Sequence, residues 1–396
     1  MKYVVVVGDG MADYPLEELG GKTPLQVANK PNMDSIASRG MSGLLRTIPT
    51  GMEPGSDVAI MSILGYNPKK FHTGRGPLEA AALGVRLSDK DVAFRCNLIT
   101  EENGLIKDYS AGHISTEEAR ILLNAVAEKY GDHGEFYPGV SYRHLFVMRN
   151  VPFSSSIRIV PPHDALGERV ADHLASPKRS KMAQIVNQIM LGSKEILSGH
   201  RVNVSRVRRG KAPANMVWLW GQGRKPRMKT MRERFGLDGA VISAVTVVKG
   251  TGICAGLESV EVPGATGYYD TSYGNKARYA LKVLKEKDMV LVHVESPDEA
   301  GHEGNIEEKI RAIENIDSKI VGRIMDGTGG ECKIAVMADH PTPIRVRTHT
   351  PEPVPFSMTS SSGKTDGVKR FDEFSARGGK LGLMEGHRFI RTMVEF

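Results

Sequence analysis

Met289-Val290-Leu291-Val292-His293-Val294-Glu295 is the stretch on which the fold turns. It is short, apolar and rich in β-branched residues, so it reads as a strand buried on both faces. Helical patterns flank it at Asn275–Lys287 and Ile306–Ile324. In the second of these, Ile306, Ile310, Ile313, Ile316, Ile320 and Ile324 follow the three-and-four spacing of a buried stripe. Two further runs, Ala240–Val248 and Lys333–Met337, share the strand character, as does Tyr3–Val7 at the far end of the chain. Strands alternating with helices imply a parallel sheet covered on both faces. The sequence therefore predicts a doubly wound, mostly parallel α/β core built from residues 1–75 and 236–396, interrupted by a smaller α+β insertion at 76–235.

The insertion begins after a glycine-rich turn at Phe71-His72-Thr73-Gly74-Arg75-Gly76-Pro77. Within it Val92–Leu98, Leu105–Tyr109, Leu145–Met148 and Ile157–Val160 read as strands, and Ser115–Tyr130 and Lys181–Leu197 as helices. Ser115-Thr116-Glu117-Glu118 is a capping box, and Gly131 stands where that helix should stop.

With 396 residues, 40% hydrophobic and 25% charged, the composition is that of a globular protein, without an apolar run long enough for a bilayer. Met1–Val7 is too soon broken by Gly8-Asp9-Gly10 to serve as a signal peptide. Three cysteines, Cys96, Cys254 and Cys332, lie far apart and without a Cys-x-x-Cys pair, which argues for a reducing, cytoplasmic setting and against a thiolate zinc site. The net charge of +7 suits a small anionic substrate. Nucleic acid is disfavoured, because no aromatic-basic interleaving accompanies the charge, and no membrane partner is expected. The sequence sets no oligomeric state.

Ligands of open parallel sheets bind beyond the carboxyl ends of the strands. Tyr3–Val7 leads to Asp9, Met289–Glu295 leads to Asp298 and His302, Lys333–Met337 leads to Asp339-His340, and His349 lies in a following loop. Singly, each has a plainer reading as a turn residue, helix cap or surface histidine. Together they put acids and imidazoles on one edge of one sheet, a donor set that suits manganese or zinc ahead of magnesium, cobalt or calcium. Gly51-Met52-Glu53-Pro54-Gly55-Ser56-Asp57 opens a helical run, where Ser56 is either an N-cap or a nucleophile. Counting Ser56, seven ligands exceed one tetrahedral ion and fit two.

These motifs, in this order, resemble the alkaline phosphatase superfamily, and within it the metal-dependent, cofactor-independent phosphoglycerate mutases of the archaeal type. The likeness spans nearly the whole chain. It includes Glu18-Leu19-Gly20-Gly21-Lys22-Thr23-Pro24-Leu25, Thr73–Ala80, Phe94-Arg95-Cys96-Asn97, Gly264-Ala265-Thr266-Gly267 and His349-Thr350-Pro351-Glu352-Pro353-Val354-Pro355. The resemblance implies one divalent ion on Asp9, Ser56, Asp339 and His340 and another on Asp298, His302 and His349. It also implies that Ser56 takes the phosphoryl group from one hydroxyl of a phosphoglycerate and returns it to the other, under a lid made by the insertion. The substrate contacts expected are Arg95, Asn97, His113, Arg143 and Asp164 from the insertion, with Asp108 and His163 as further candidates, and Lys249 from the core. Arg95 and Lys249 lead, since fixed cations suit carboxylate and phosphate alike. The basic run Arg201–Lys211 reads as solvated surface.

Ala111-Gly112-His113-Ile114, Pro341 after His340, Pro161-Pro162-His163-Asp164 and Trp218–Gly223 depart from the archaeal pattern. They are similar to a bacterial branch proposed to act as homoserine kinase, so the acceptor stays open between glycerate, homoserine and, for a metallophosphatase, water. No Walker-type phosphate loop is present.

Overall fold

The computed structural model describes residues 1–153, 157–359 and 363–395. The chain divides into two units, one of residues 1–72 with 227–396 and one of residues 73–226. The sequence boundaries of 76 and 235 shift accordingly. Residues 227–235 are held in the core unit, where the Tyr66 hydroxyl and the Arg234 guanidinium donate to the Lys229 and Gly65 carbonyls, each at 2.6 Å.

The core unit is an eight-stranded sheet of β1 (Lys2–Gly8), β2 (Gly40–Arg46), β3 (Gly239–Ile242), β4 (Glu258–Ser259), β5 (Met289–Val294), β6 (Cys332–Ala338), β7 (Val354–Thr359) and β8 (Gly382–Glu385). Their spatial order is β8-β2-β7-β6-β1-β5-β3-β4. All neighbours run parallel except β7, which is antiparallel to both β6 and β2. The predicted α/β architecture with a mostly parallel sheet is thus present. β1, β5 and β6 are buried along their lengths, as strands covered by helices on both faces must be. Register fixes the functional edge: Gly8 stands opposite Val294 on one side and Ala338 on the other. Asp9, Glu295 and Asp339 therefore leave the sheet at one level.

Several expectations change. The run Ala240–Val248 is not one strand: β3 stops at Ile242 and a helix occupies Thr246–Cys254. At the break, the Val245 amide donates to Ser243 Oγ (2.9 Å) and the Ala244 amide to Glu295 Oε1 (2.7 Å), so side chains satisfy donors that a strand would have paired. Ile306–Ile324 is helical but interrupted, with a π-turn at Asp317–Gly322 between helices Ile306–Ile316 and Arg323–Thr328. The extra residue lets Asp317 stay buried, where its carboxylate accepts the Met33 amide (2.7 Å) and the Asn32 side chain (2.8 Å) at the start of helix Pro31–Ser38. Ile157–Val160 forms no strand, only a bridge between Arg158 and Ser176. Within the glycine-rich exit turn a helix already begins, Arg75–Ala82. No helix is long and apolar enough to cross a membrane among the described residues.

The second unit is an antiparallel sheet centred on Val92–Glu102, which pairs with Leu105–Asp108, Arg143–Met148 and Met216–Gly223, while Glu135–Tyr137 adds to Arg143–Met148. Alternation sends Phe94, Cys96 and Leu98 into a core with Phe146, Trp218, and helices Thr116–Tyr130 and Lys181–Ser198. Arg95 and Asn97 take the other face. The basic run 201–211 is corrected at Arg206. Its guanidinium is buried, donates to the Ala111 (2.7 Å) and Ala212 (2.9 Å) carbonyls and pairs with Glu118. It ties two loops to the helix that carries Glu118, because a buried cation needs such partners.

Glu373 anchors the carboxyl-terminal segment to the core, accepting from the Asp13 amide (3.0 Å) and the Thr23 hydroxyl (2.7 Å). Burial pushes its carboxyl up to about 7 from 4.5. A raised acid stabilises the fold below its unfolded pKa, and that contribution is lost as pH rises through about 7. Glu373→Gln keeps both partners without the charge. It is expected to remove a loss of about 2 kcal/mol between pH 5 and 8, discounted for the partial exposure of the group. Thermal unfolding of both proteins across that range tests it; parallel curves would contradict it.

Candidate metal centre

The helix Ser56–Ile63 starts without a side-chain cap, and the preceding Gly55 is extended. Ser56 is thus its first residue and not its cap, which leaves the hydroxyl free to point elsewhere. Its Oγ lies 3.4 Å from each oxygen of Asp9 and 3.3 Å from His340 Nε2. The following Asp57 is hydrogen-bonded to His72 Nε2 at 2.8 Å.

Asp9 and Asp339 arrive from adjacent strands. Asp339 Oδ1 accepts the amides of Gly10 (3.1 Å) and His340 (2.8 Å), which fixes the carboxylate, whereas its buried Oδ2 has no hydrogen-bond partner. Gly10 has φ +58°, and a Cβ there would stand 2.6 Å from Asp298 Oδ1, so only glycine admits this approach. His340 Nε2 is 3.4 Å from Asp9 Oδ1 and 3.5 Å from Asp339 Oδ2.

Asp298 sits in the first turn of helix Ser296–Glu303, and His302 follows one turn later. Asp298 Oδ2 is 3.2 Å from His302 Nε2, and Oδ1 is 3.4 Å from His349 Nε2. Thr342 Oγ also donates to Asp298. The Nε2 atoms of His302 and His349 approach to 3.0 Å. Each imidazole has its other nitrogen near a backbone or hydroxyl oxygen: His302 Nδ1 at 3.0 Å from the Arg347 carbonyl, His349 Nδ1 at 3.4 Å from the Pro54 carbonyl, and His340 Nδ1 at 3.4 Å from Thr342 Oγ. In that setting Nε2 of each ring is the nitrogen turned inward, toward the carboxylates.

The electrostatics follow from packing acids together. Burial, then Asp339, Asp298 and Glu295, push the Asp9 carboxyl well above its usual range. Burial also raises Asp298, but His302 and His349 overcome it and hold that group low. Burial opposes charging of His302, yet Asp298 lifts it to about 9; burial brings His340 down to about 4. Carboxylates packed this closely, beside imidazole nitrogens that face one another, describe a site short of positive charge. Asp9, Asp339 and His340 form one group of converging ligand atoms, and Asp298, His340 and His349 another. The donors are oxygen and imidazole nitrogen, and they fit divalent cations.

Of the expected substrate contacts, Arg95, Asn97, His113, Arg143 and Asp164 fall in the second unit. Arg95 lies over the Trp220 ring at 4.5 Å, with Nε 3.3 Å from Glu79. Asn97 is buried, accepting from Trp220 Nε1 at 3.0 Å. Arg143 lies over Tyr142 at 5.1 Å, and exposed His113 faces the same ring at 6.1 Å. Asp164 is exposed, 3.7 Å from His163 Nε2, and the His163 ring meets Trp220 edge-on at 5.3 Å. Arg75, which sequence reading passed over, joins them with its guanidinium 5.7 Å from Trp220. Burial, Arg75 and Arg143 all lower the Arg95 pKa against Glu79. Asp108 is structural: it accepts from the Ser110 amide and hydroxyl (2.7 Å each) and from the Gly112 amide (2.6 Å). Lys249, in the core unit, pairs with exposed Glu261 at 2.6 Å.

Comparison with known proteins fits this arrangement. The family model described as 2,3-bisphosphoglycerate-independent phosphoglycerate mutase matches residues 37–203. A relative of that name (number 2) from Methanothermobacter thermautotrophicus is 54% identical over 396 residues, all of this chain and 98% of the relative. The chain belongs to the 2,3-bisphosphoglycerate-independent phosphoglycerate mutase family. A mutase relative from Methanosarcina acetivorans is 52% identical over the whole of both chains. Among solved structures, a protein of Pyrococcus horikoshii has a TM-score of 0.85 at 32% identity, covering all of this chain and 96% of that one. The cofactor-independent phosphoglycerate mutase of Thermoplasma acidophilum gives 0.68 at 29%, covering all of this chain and 99% of its own.

Proposed function

We propose that this chain interconverts 3-phosphoglycerate and 2-phosphoglycerate through a phosphoserine at Ser56, without a bisphosphoglycerate primer. The observation that carries the reading is the Ser56 hydroxyl, freed from capping and set against Asp9 and His340. Two divalent ions, manganese or zinc ahead of magnesium or cobalt, would lower the pKa of that hydroxyl and neutralise charge on the transferring phosphoryl group. Asp9, Ser56, Asp339 and His340 would hold one and Asp298, His302 and His349 the other. Ser56 Oγ attacks phosphorus, the released glycerate turns within the site, and its other hydroxyl takes the group back. Three cysteines far apart and without a Cys-x-x-Cys pair suit a cytoplasmic enzyme.

Arg95, with Arg75 and Arg143, binds the carboxylate or phosphate of the substrate. Three guanidiniums around one tryptophan and one tyrosine invite an anion, since like charges this close are relieved by it. Asn97 sets the Trp220 ring, while His113, Asp164 and Lys249 would make further polar contacts. Arg95→Lys keeps the charge but loses the planar fork and the stacking. It is expected to raise KM for 3-phosphoglycerate about tenfold while kcat changes less. An unchanged KM would remove Arg95 from the binding site.

The decisive assay couples 2-phosphoglycerate formation to enolase in the absence of bisphosphoglycerate, with manganese and with chelator. Metal-dependent turnover supports the reading. Release of inorganic phosphate alone would mark a phosphatase, and transfer from ATP to homoserine with no mutase turnover would overturn the glycerate assignment.

A further inference from the structure

The strand β5 carries a polar pair that the proposed chemistry does not use. In Val292-His293-Val294-Glu295, alternation places His293 and Glu295 on one face and the valines on the other. Both are buried, and so is Lys276, which reaches them from helix Tyr273–Glu286. Lys276 Nζ is 2.6 Å from Glu295 Oε2 and donates to the His293 carbonyl at 2.9 Å. Glu295 Oε1 accepts the Ser243 hydroxyl (2.9 Å) and the Ala244 amide (2.7 Å). His293 Nδ1 rests against this array, 3.3 Å from Ser243 Oγ and 3.4 Å from Glu295 Oε1.

The array points outward through Nε2 of His293, which lies 3.3 Å from Asp9 Oδ2 and 3.7 Å from Asp339 Oδ2. Neither this nitrogen nor Asp339 Oδ2 completes a hydrogen bond. A buried lysine, glutamate and histidine contribute little to stability that an apolar trio of like volume would not, and each charge costs desolvation. Their arrangement is directional. The other polar atoms of the trio are tied down, so that Nε2 faces Asp9 and Asp339, whose Oδ1 and Oδ2 respectively also lie 3.4 Å and 3.5 Å from His340 Nε2.

We propose that His293, backed by Glu295, Lys276 and Ser243, is a positioning residue that aligns Asp9 and Asp339 for the first ion. This rests on the assignment of that ion to Asp9, Ser56, Asp339 and His340. With its Nε2 set between the two Oδ2 atoms, His293 fixes the spacing of the two carboxylates and leaves Asp9 Oδ1 turned toward the ion. Supporting groups of this kind typically change metal affinity by about 10–100-fold when removed.

The test is calorimetric titration of the metal-free, full-length protein with Co2+, accompanied by its visible absorption spectrum. His293→Gln is expected to lose about 10–100-fold in affinity at the ion that Asp339→Asn also removes. The ion on Asp298, His302 and His349 should bind as before, and the spectrum of the weakened site should shift. A general loss of fold would lower both affinities and leave no such selectivity. Should His293→Gln fail to fold, the paired variant Glu295→Gln with Lys276→Met withdraws the backing without leaving an unpaired charge, and a selective loss is expected there too. Parental affinity and spectrum in the folded variant overturn the positioning role. If Asp339→Asn removes no ion from the parent, the underlying metal assignment fails, and this proposal falls with it.

Discussion

Ser56→Ala is expected to fold, to bind metal, and to lose phosphoglycerate turnover on the order of 10⁴-fold or more. Folding should survive because the hydroxyl caps nothing. The helix begins with Ser56 in its first turn, and no capping bond uses the side chain. Alanine is the better helix former, by a few tenths of a kcal/mol. Metal binding should persist, weakened, because Asp9, Asp339 and His340 still converge. What would disappear is the atom proposed to accept the phosphoryl group, and its near neighbours are poor substitutes: His340 Nε2 is set against Asp9 and Asp339, and Asp57 is held by His72. Quenched samples of the parent with 3-phosphoglycerate should contain a phosphorylated peptide covering Gly51–Leu64, absent from the variant. Turnover within about tenfold of the parent would exclude Ser56 as the nucleophile.

The strands that end in the clustered acids and imidazoles were legible because each is buried on both faces and must be apolar throughout. Tyr3–Val7, Met289–Glu295 and Lys333–Met337 have no competing pattern, and the acids at their ends then fall on one edge by parallel register alone. β2 and β7 were not legible. Gly40, Gly43 and Pro355 weaken any strand signal, and only pairing of β7 between β6 and β2 makes them strands. Val245–Val248 misled for the opposite reason, since a β-branched run became helix once Ser243 and Glu295 took over its first donors. The arginine cluster was half visible. Arg95 stands in a strand pattern and Arg143 just before one, but Arg75 belongs to a helix whose start was hidden in a glycine-rich turn, and Trp220 gives no sign by itself that guanidiniums gather on it. His293 had a signal that was available, a histidine and a glutamate two apart inside an otherwise apolar strand, where a packing role would have called for valine.

The shortage of positive charge in the site leads to the second large expected effect, in which one substitution improves the metal-free protein and disables the enzyme. Asp9 is buried beside Asp339, Asp298 and Glu295, and its carboxyl is pushed far up by burial and then by those neighbours. The native metal-free state therefore holds a proton that the unfolded chain releases. Stability from this group is full below the ordinary carboxylate pKa and is lost as pH rises, so the metal-free protein is penalised at neutral pH. Asp9→Asn keeps the shape and removes the charge. Its metal-free Tm should exceed the parent's by about 2–4 °C near pH 8, with the gap closing toward pH 4. The increment in Tm that Mn2+ gives the parent should largely vanish, since ligand-linked stabilisation follows affinity. Turnover should fall by about 10²–10³-fold or more, as the Ser56 hydroxyl loses the charge that would ionise it. Thermal melts at both pH values, with and without Mn2+, decide the matter. A lower metal-free Tm for Asp9→Asn would mean that the carboxylate is satisfied by protein alone, most directly by His293, and that the cluster is not short of a cation. A higher one, lost on adding metal to the parent, would show that this sheet edge carries its acids for the ion and not for the fold.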